Sequence, residues 1–217
     1  MKICIKEFFY SIQGETTLSG FPSLFIRTAG CNLNCTHCDT AYAREGGHYY
    51  SVDEVIQIVT RYPNAHHITV TGGEPLIQES TFSLVKALVD KQYMVQLESN
   101  GSKLVAQLPA TVRKILDVKT PSSGEEHSFL MENLDFMGHN DEIKFIIADD
   151  RDYRFSCSFI EKYIANSPVI VNFSPERSTM QPDRLAGKIL EDRLRVRLNL
   201  QMHRCIWGNH EPGTLAE

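Results

Sequence analysis

Cys31, Cys35 and Cys38 stand in one short run, AGCNLNCTHCDT, with the spacing Cys-x3-Cys-x2-Cys. Three thiolates that close can bind three irons of a [4Fe–4S] cluster and leave the fourth iron without a protein ligand. An iron with an open site can hold a small molecule and pass it an electron, whereas four-cysteine carriers close that site. The spacing therefore points to catalysis rather than electron storage. Two other readings compete. A zinc knob needs four ligands, and His37, between Cys35 and Cys38, is poorly placed to join its neighbours on one metal. A disulfide framework belongs to an extracellular setting. The N-terminal run MKICIKEFFYSIQGE carries charge and polarity where a signal peptide or membrane span is apolar, so neither is expected.

Downstream, HHITVTGGEP (66–75) reads as a strand running into a glycine pair, with Ile68 and Val70 alternating with polar neighbours. Gly72 and Gly73 let backbone groups approach a ligand closely. The chain has 217 residues and a net charge of −5, enough for one sizeable core and without the basic run that marks a nucleic-acid partner. Cys4, Cys157 and Cys205 are scattered and read as reduced thiols. We expect a cytoplasmic enzyme with no membrane partner.

The elements that must position these groups follow from periodicity. Strands are predicted at 23–30, 67–73, 93–101, 115–121, 142–150, 168–175 and 195–202. Ser51 and Glu54 form a capping box ahead of a helix through residue 62, and 80–92 is an amphipathic helix with Phe82, Val85, Leu88 and Val89 on one face. Further helices are predicted at 155–165 and 184–194. Only about a dozen residues separate the third and fourth strands, so their crossover is short and irregular. Strands alternating with helices give an α/β fold: six or seven parallel βα units in a partial (β/α)6-type barrel with helices outside. Its reactive groups gather at the C-terminal strand ends, where the cysteine loop, GGEP, ESNG, DVKTP and NFSP all fall.

The cysteine spacing followed by TGGEP resembles the radical S-adenosylmethionine (radical SAM) enzymes. The longer run FYSIQGETTLSGFPSLFIRTAGCNLNCTHCDT, then TGGEP, closely resembles the 7-carboxy-7-deazaguanine synthase family within them. The likeness covers residues 8–75 well and continues as strand-end fragments, with LNLQMH near the end. Enzymes that activate glycyl-radical proteins share the cysteines and glycines but not SIQGE joined to CDT, and form the alternative reading. The resemblance implies one radical SAM domain over 1–217: a substrate-binding segment 1–22, a partial barrel 23–200 and a C-terminal extension 201–217. It implies ring contraction of 6-carboxy-5,6,7,8-tetrahydropterin to 7-carboxy-7-deazaguanine with loss of ammonia, in queuosine or another 7-deazapurine pathway. A 5′-deoxyadenosyl radical from SAM would take the C6 hydrogen, and a Mg2+ ion would assist. A flavodoxin- or ferredoxin-like reductant and a homodimer are also implied.

Residue by residue, the resemblance places Ile12, Gln13, Gly14, Glu15, Arg27, Thr71 and His203 on the substrate. An amide and a carboxylate at Gln13 and Glu15 match the donor and acceptor edge of a pterin, and the planar fork of Arg27 suits its carboxylate. Thr40 would ligate Mg2+, an ion that prefers oxygen and keeps waters or substrate oxygens. Cofactor-binding residues would be His37, Cys38, Asp39, Gly73, Ser99, Asp117, Lys119, Asn172 and Ser174, with the last two near adenine. For Asp117 and Lys119 two readings stand side by side: contact with SAM, or a buried ion pair. Glu74 is expected to fix its loop rather than touch ligand. In some members of the family the terminal carboxylate reaches the pterin; here NHEPGTLAE runs on past that point.

Overall fold

A computed structural model of the protein describes residues 1–208. The chain opens with two antiparallel strands, β1 (Lys2–Ile12) and β2 (Pro22–Thr28). Next come β3 (His48–Ser51), α1 (Val52–Val59), β4 (His67–Gly72), α2 (Ser80–Asp90), β5 (Met94–Ser99) and β6 (Arg113–Asp117). β7 (Glu142–Ile147), α3 (Asp150–Phe159), β8 (Ile170–Pro175), α4 (Pro182–Glu191), β9 (Arg197–Leu198) and α5 (Met202–Trp207) complete it. All strands join one open sheet in the order β3-β1-β2-β4-β5-β6-β7-β8-β9, with β2 and β4 to β9 parallel. Residues 209–217, which carry most of the sequence-predicted extension, lie outside the described residues.

The helical signals are realised locally. The Ser51 hydroxyl accepts from Glu54 N–H while the Glu54 carboxylate accepts from Ser51 N–H, a reciprocal cap that satisfies two backbone donors at the helix start. On α2 the buried face is Thr81, Leu84, Val85 and Leu88; Phe82 and Val89 are only partly covered, so the predicted stripe is rotated by about a residue. The β5–β6 crossover contains no helix, as its shortness demanded, and β6 to β7 is bridged by 3-10 turns. The last strand shrinks from the predicted 195–202 to two residues, because the chain turns at Gln201 into α5.

β1 and β3 were not anticipated. Both are too polar on one face to read as barrel strands, and both pair antiparallel at one edge of the sheet. β1 also contains a bulge: Ile5 opposes Thr28, but Glu7 opposes Arg27. One extra residue, Lys6, inverts the side-chain alternation. Before it, Ile3 and Ile5 pack into the apolar layer under the helices; after it, Glu7, Phe9 and Ser11 line the opposite, concave face.

That apolar layer holds Leu24, Ile26, Ile68, Val70, Leu97, Leu116, Ile143, Phe145 and Phe173 from the strands. Val55, Val59, Leu84, Leu88, Phe159 and Leu185 from the helices complete it. The alternate strand positions face inward and are mostly polar, with Phe9, Phe25 and Ile146 among them, and residues 13–21 fold across their N-terminal ends as a floor. Thr16 N–H donates to Asn199 (2.8 Å) and the Thr16 hydroxyl to Gln96 (3.2 Å); Thr17 donates its N–H and hydroxyl to Glu142. Met202 N–H donates to the Gly14 carbonyl (2.8 Å), which ties α5 to the same loop. Thr16 is held at φ 66°, strained for a β-branched residue, by these buried partners.

Candidate active site

The concave face encloses a cavity of about 580 Å3. Cys31, Cys35 and Cys38 line its upper side, beyond the C-terminal end of β2, and all three are free thiols. Their loop is braced from several directions. Gly30 N–H donates to the Ala43 carbonyl (2.8 Å), Thr36 N–H to the Ser123 carbonyl (2.9 Å) and Asn34 N–H to Glu125 (2.7 Å). Arg44 donates to the Asn34 side chain and the Cys35 carbonyl. Burial pushes the Cys35 thiol up against the opposing influence of Lys119. The donor set fits an iron–sulfur cluster: soft sulfur ligands, a rigid loop, and an opening onto a cavity rather than a closed shell. Among the described residues no three His, Cys, Asp or Glu side chains converge on a single-ion position.

The glycine pair serves this loop directly. A Cβ at Gly73 would lie 2.3 Å from the Gly30 carbonyl oxygen and 2.8 Å from Cys31 Cβ; one at Gly72 would lie 2.2 Å from the Thr28 hydroxyl. The close approach these glycines permit is thus to the cysteine loop as well as to the cavity, which Gly73 lines. Fully buried Glu74 locks the turn. Its carboxylate accepts from Leu76 N–H, Asn100 N–H and the Ser99 hydroxyl, although burial pushes that carboxyl up. The Ser99 hydroxyl is therefore engaged with Glu74. Asn100, in turn, reaches Asn32 (3.2 Å) in the cysteine loop.

Arg27 projects from β2 onto the same cavity. Its Nε donates to Glu7 Oε1 at 2.7 Å, and its guanidinium carbon lies 5.4 Å from the Phe9 ring centre and 5.9 Å from that of Tyr42. Tyr42 also donates its hydroxyl to Glu7 Oε1 (2.6 Å). Thr71, paired across from Arg27 on β4, donates to Glu98 (3.3 Å).

From the floor, Gln13 Nε2 donates to Glu98 (3.0 Å) and Thr69 (3.3 Å), while Gln13 Oε1 accepts from Glu15 N–H (3.1 Å). Glu15 accepts from Lys144 Nζ (2.8 Å) and Gln201 (2.6 Å). Lys144 also reaches Asp117 (3.3 Å), which is paired with Lys119 at 2.9 Å. Burial would raise the Glu15 and Asp117 carboxyls, but the ammonium groups outweigh it and hold both below their usual range. For Lys144, burial opposes charge, and the surrounding Asp117, Glu15 and Glu98 hold it well above an ordinary lysine. Glu98 goes the other way: burial, with Glu15 and Asp117 nearby, pushes it up.

Ile12, Gln13, Glu15, Arg27, Thr71 and His203 line the cavity, as do His37, Asp39, Thr40, Asp117 and Lys119. Gly14 lies behind His203: a Cβ there would sit 2.1 Å from His203 Nδ1. Burial holds the His203 ring below the usual histidine range. The Thr40 hydroxyl faces Cys38 Sγ at 3.9 Å and does not cap the following turn. Asp39 is exposed and 3.7 Å from Arg204. Asn172 and Ser174 depart from expectation. They do not line the cavity; Asn172 is wholly buried between Glu142 (2.6 Å) and Arg197 (2.9 Å), and Ser174 accepts from Asn199 (2.9 Å). Their polar groups are spent on these buried partners, although their neighbours across the sheet, Lys144 and Ile146, line the cavity. For Asp117 and Lys119 the ion pair is present on the cavity wall.

Glu7, Tyr42, Glu98, Lys144, Gln201 and Arg204 also line the cavity and were not anticipated. A signal existed for two of them. Gln96 and Glu98 in MVQLES, and Glu142 and Lys144 in EIKFII, place charge or amide two residues apart with apolar residues between them.

A family profile described as the Radical SAM superfamily matches residues 25–171. Among curated proteins, the chain is similar to the 7-carboxy-7-deazaguanine synthase of Koribacter versatilis, 41% identical over 96% of this chain and 99% of that protein. It is likewise similar to the 7-carboxy-7-deazaguanine synthase of Chlorobaculum tepidum, 38% identical over 94% of each. Among solved structures, the crystal structure of QueE from Escherichia coli covers 94% of this chain and 95% of its own, with a TM-score of 0.79 at 23% identity, a likeness of fold.

Proposed function

Because the chain belongs to the 7-carboxy-7-deazaguanine synthase family of the radical SAM superfamily, we propose that its cavity contracts 6-carboxy-5,6,7,8-tetrahydropterin to 7-carboxy-7-deazaguanine with loss of ammonia. The reaction serves 7-deazapurine biosynthesis, with queuosine as one end product. One observation carries the reading: the three free thiols, the Arg27 fork and the Gln13–Glu15 floor all face one cavity of about 580 Å3. The named relatives disfavour the alternative, activation of a glycyl-radical protein.

Radical SAM enzymes use a [4Fe–4S] cluster and S-adenosylmethionine, and Cys31, Cys35 and Cys38 would hold the cluster here. Once bound, these cofactors supply an organic radical able to take hydrogen from an unactivated carbon. The chain's own residues do the rest. Arg27 orients the substrate carboxylate through its fork. Gln13 Oε1 and the Glu15 carboxylate present acceptors to the N–H groups of the pterin edge from below, with Ile12 and Thr71 beside it. The hydrogen-bonded floor excludes water from the N-terminal side, which strengthens every polar contact inside. Lys119, Asp117 and His37 line the wall between the cysteines and Lys144, where SAM would lie. Thr40, whose hydroxyl faces the cavity beside Cys38, would ligate Mg2+ together with substrate oxygens.

We assign residues 1–22 to the substrate-binding segment, 23–200 to the partial barrel and 201–217 to a C-terminal extension of one domain. A flavodoxin- or ferredoxin-like reductant, a homodimeric assembly and a cytoplasmic location complete the proposal. Among the described residues no helix is long and apolar enough to cross a membrane. The test is direct. Anaerobically reconstituted, reduced protein with SAM, Mg2+ and the carboxytetrahydropterin should release 7-carboxy-7-deazaguanine. SAM cleavage without that product would overturn the substrate assignment.

A further inference from the structure

The bulge in β1 has a chemical result. Were Lys6 an ordinary paired residue rather than a bulged one, Glu7 would share the face of Ile3 and Ile5 and point into the apolar layer. With it, Glu7 stands directly across from Arg27 on the cavity side, and its Oε1 accepts from both Arg27 Nε (2.7 Å) and the Tyr42 hydroxyl (2.6 Å). Arg27 is further confined by the rings of Phe9 and Tyr42. Phe9 is itself fixed, stacked on Phe25 at 4.5 Å with the rings 3° apart. A guanidinium has one Nε–H on its side edge and a pair of terminal nitrogens on its end. Here Glu7 occupies the side edge, so the end pair is the part left to meet a carboxylate bidentately.

We propose that Glu7 is a positioning residue: held on the cavity side by the β1 bulge, it fixes the rotation of the Arg27 fork so that the end nitrogens meet the substrate carboxylate. The inference rests on the reading of the cavity as a carboxylated-pterin site and deepens it. Glu7 acts at a cost, since its negative charge offsets that of Arg27 and would by itself weaken attraction for an anion. A residue kept there despite that cost contributes geometry, because a fork aimed before binding loses little rotamer freedom when the ligand arrives.

The experiment separates geometry from charge. Binding of two stable probes, 6-carboxypterin and pterin without the carboxyl, is measured by fluorescence titration on cluster-loaded wild type, Glu7→Gln and Glu7→Leu. Glutamine keeps an oxygen acceptor and drops the charge; leucine drops both. Wild type should prefer 6-carboxypterin by about 30-fold or more, the scale set by one charged hydrogen-bonding partner. Glu7→Leu should cut that preference about tenfold and leave pterin affinity unchanged, while Glu7→Gln keeps most of it, since its amide oxygen still accepts from Arg27 Nε. Leucine binding 6-carboxypterin as tightly as wild type, or more tightly, would make Glu7 a simple counter-ion and sink the proposal. Affinities for both probes falling together would equally overturn it, by showing general damage to the cavity. Should wild type itself fail to distinguish the probes, the carboxylated-pterin reading fails, an outcome distinct from either of these.

Discussion

Lys144 Nζ lies 2.8 Å from Glu15 Oε2, and through that contact β7, an interior strand of the sheet, is tied to the loop that floors the cavity. The same ammonium reaches Asp117. Replacing Lys144 with Met should therefore destabilise by about 3–5 kcal/mol near neutral pH, the scale for leaving buried charge unpaired. The pH dependence has a definite sign. Glu15 and Asp117 are held below their usual range, so their contribution is present above the unfolded carboxylate value of about 4 and is lost as pH falls through the lower folded values. Lys144 is raised, so its contribution is present below about 10.4 and is lost only as pH rises through its higher folded value. In Lys144→Met, Glu15 loses its main opposing cation and rises, while Asp117, which keeps Lys119, loses its second. The thermal-midpoint gap to wild type should then be smaller at pH 5.5 than at 7.5; an equal gap at both would contradict the account.

Cys35→Ala should lower bound iron and sulfide after anaerobic reconstitution and abolish reductive cleavage of SAM. Full cluster occupancy with intact cleavage would remove Cys35 from the ligand set.

Gly73→Ala should act on the same readout without replacing a ligand. Its methyl group would meet the Gly30 carbonyl at 2.3 Å and Cys31 Cβ at 2.8 Å, so the cysteine loop must shift. Iron content per chain should fall while the circular-dichroism spectrum is kept. A variant that loads iron like wild type would show that the loop yields freely.

Thr40→Ala should weaken the dependence of turnover on Mg2+. The Thr40 hydroxyl faces Cys38 and caps nothing, so the substitution removes a candidate oxygen ligand with little structural loss. Wild-type turnover indifferent to chelation would rule out the metal role.

Arg27→Ala should lower kcat/KM by about 30-fold or more, with KM raised and kcat lowered, because a misplaced C6 hydrogen no longer faces the radical source. Arg27→Lys should rescue only in part, since a point charge does not reproduce the fork. A variant that keeps the full preference for the carboxylated pterin would mark Arg27 as structural.

Much of this site was legible in the chain because its signals are local. Cys31, Cys35 and Cys38 share one loop, and Thr71 and Gly73 end a strand whose alternation is plain. Glu7 was hidden because a bulge breaks the period on which strand reading depends. Glu98 and Lys144 were passed over in favour of strand-end residues, although their alternation with apolar neighbours pointed inward. Asn172 and Ser174, read as near adenine, instead engage Glu142, Arg197 and Asn199, distant partners that strand-end position does not reveal. Ser99, read as cofactor-binding, lines the cavity, but its hydroxyl partner, Glu74, sits 25 residues away, and spacing alone cannot pair them.

The floor also sets when the pocket can exist. Thr16 reaches Asn199 and Glu15 reaches Gln201 across separations of 183 and 186 residues, so the first turn of the chain waits for nearly the last. Such long-range closure is slow, because the entropy of the intervening chain must be lost before the contacts repay it. During synthesis the sheet can grow strand by strand while residues 13–21 remain without their partners. Competence for chemistry therefore arrives late, after β9 has left the ribosome, and a nascent chain holding the cysteine loop would still lack the floor of the cavity.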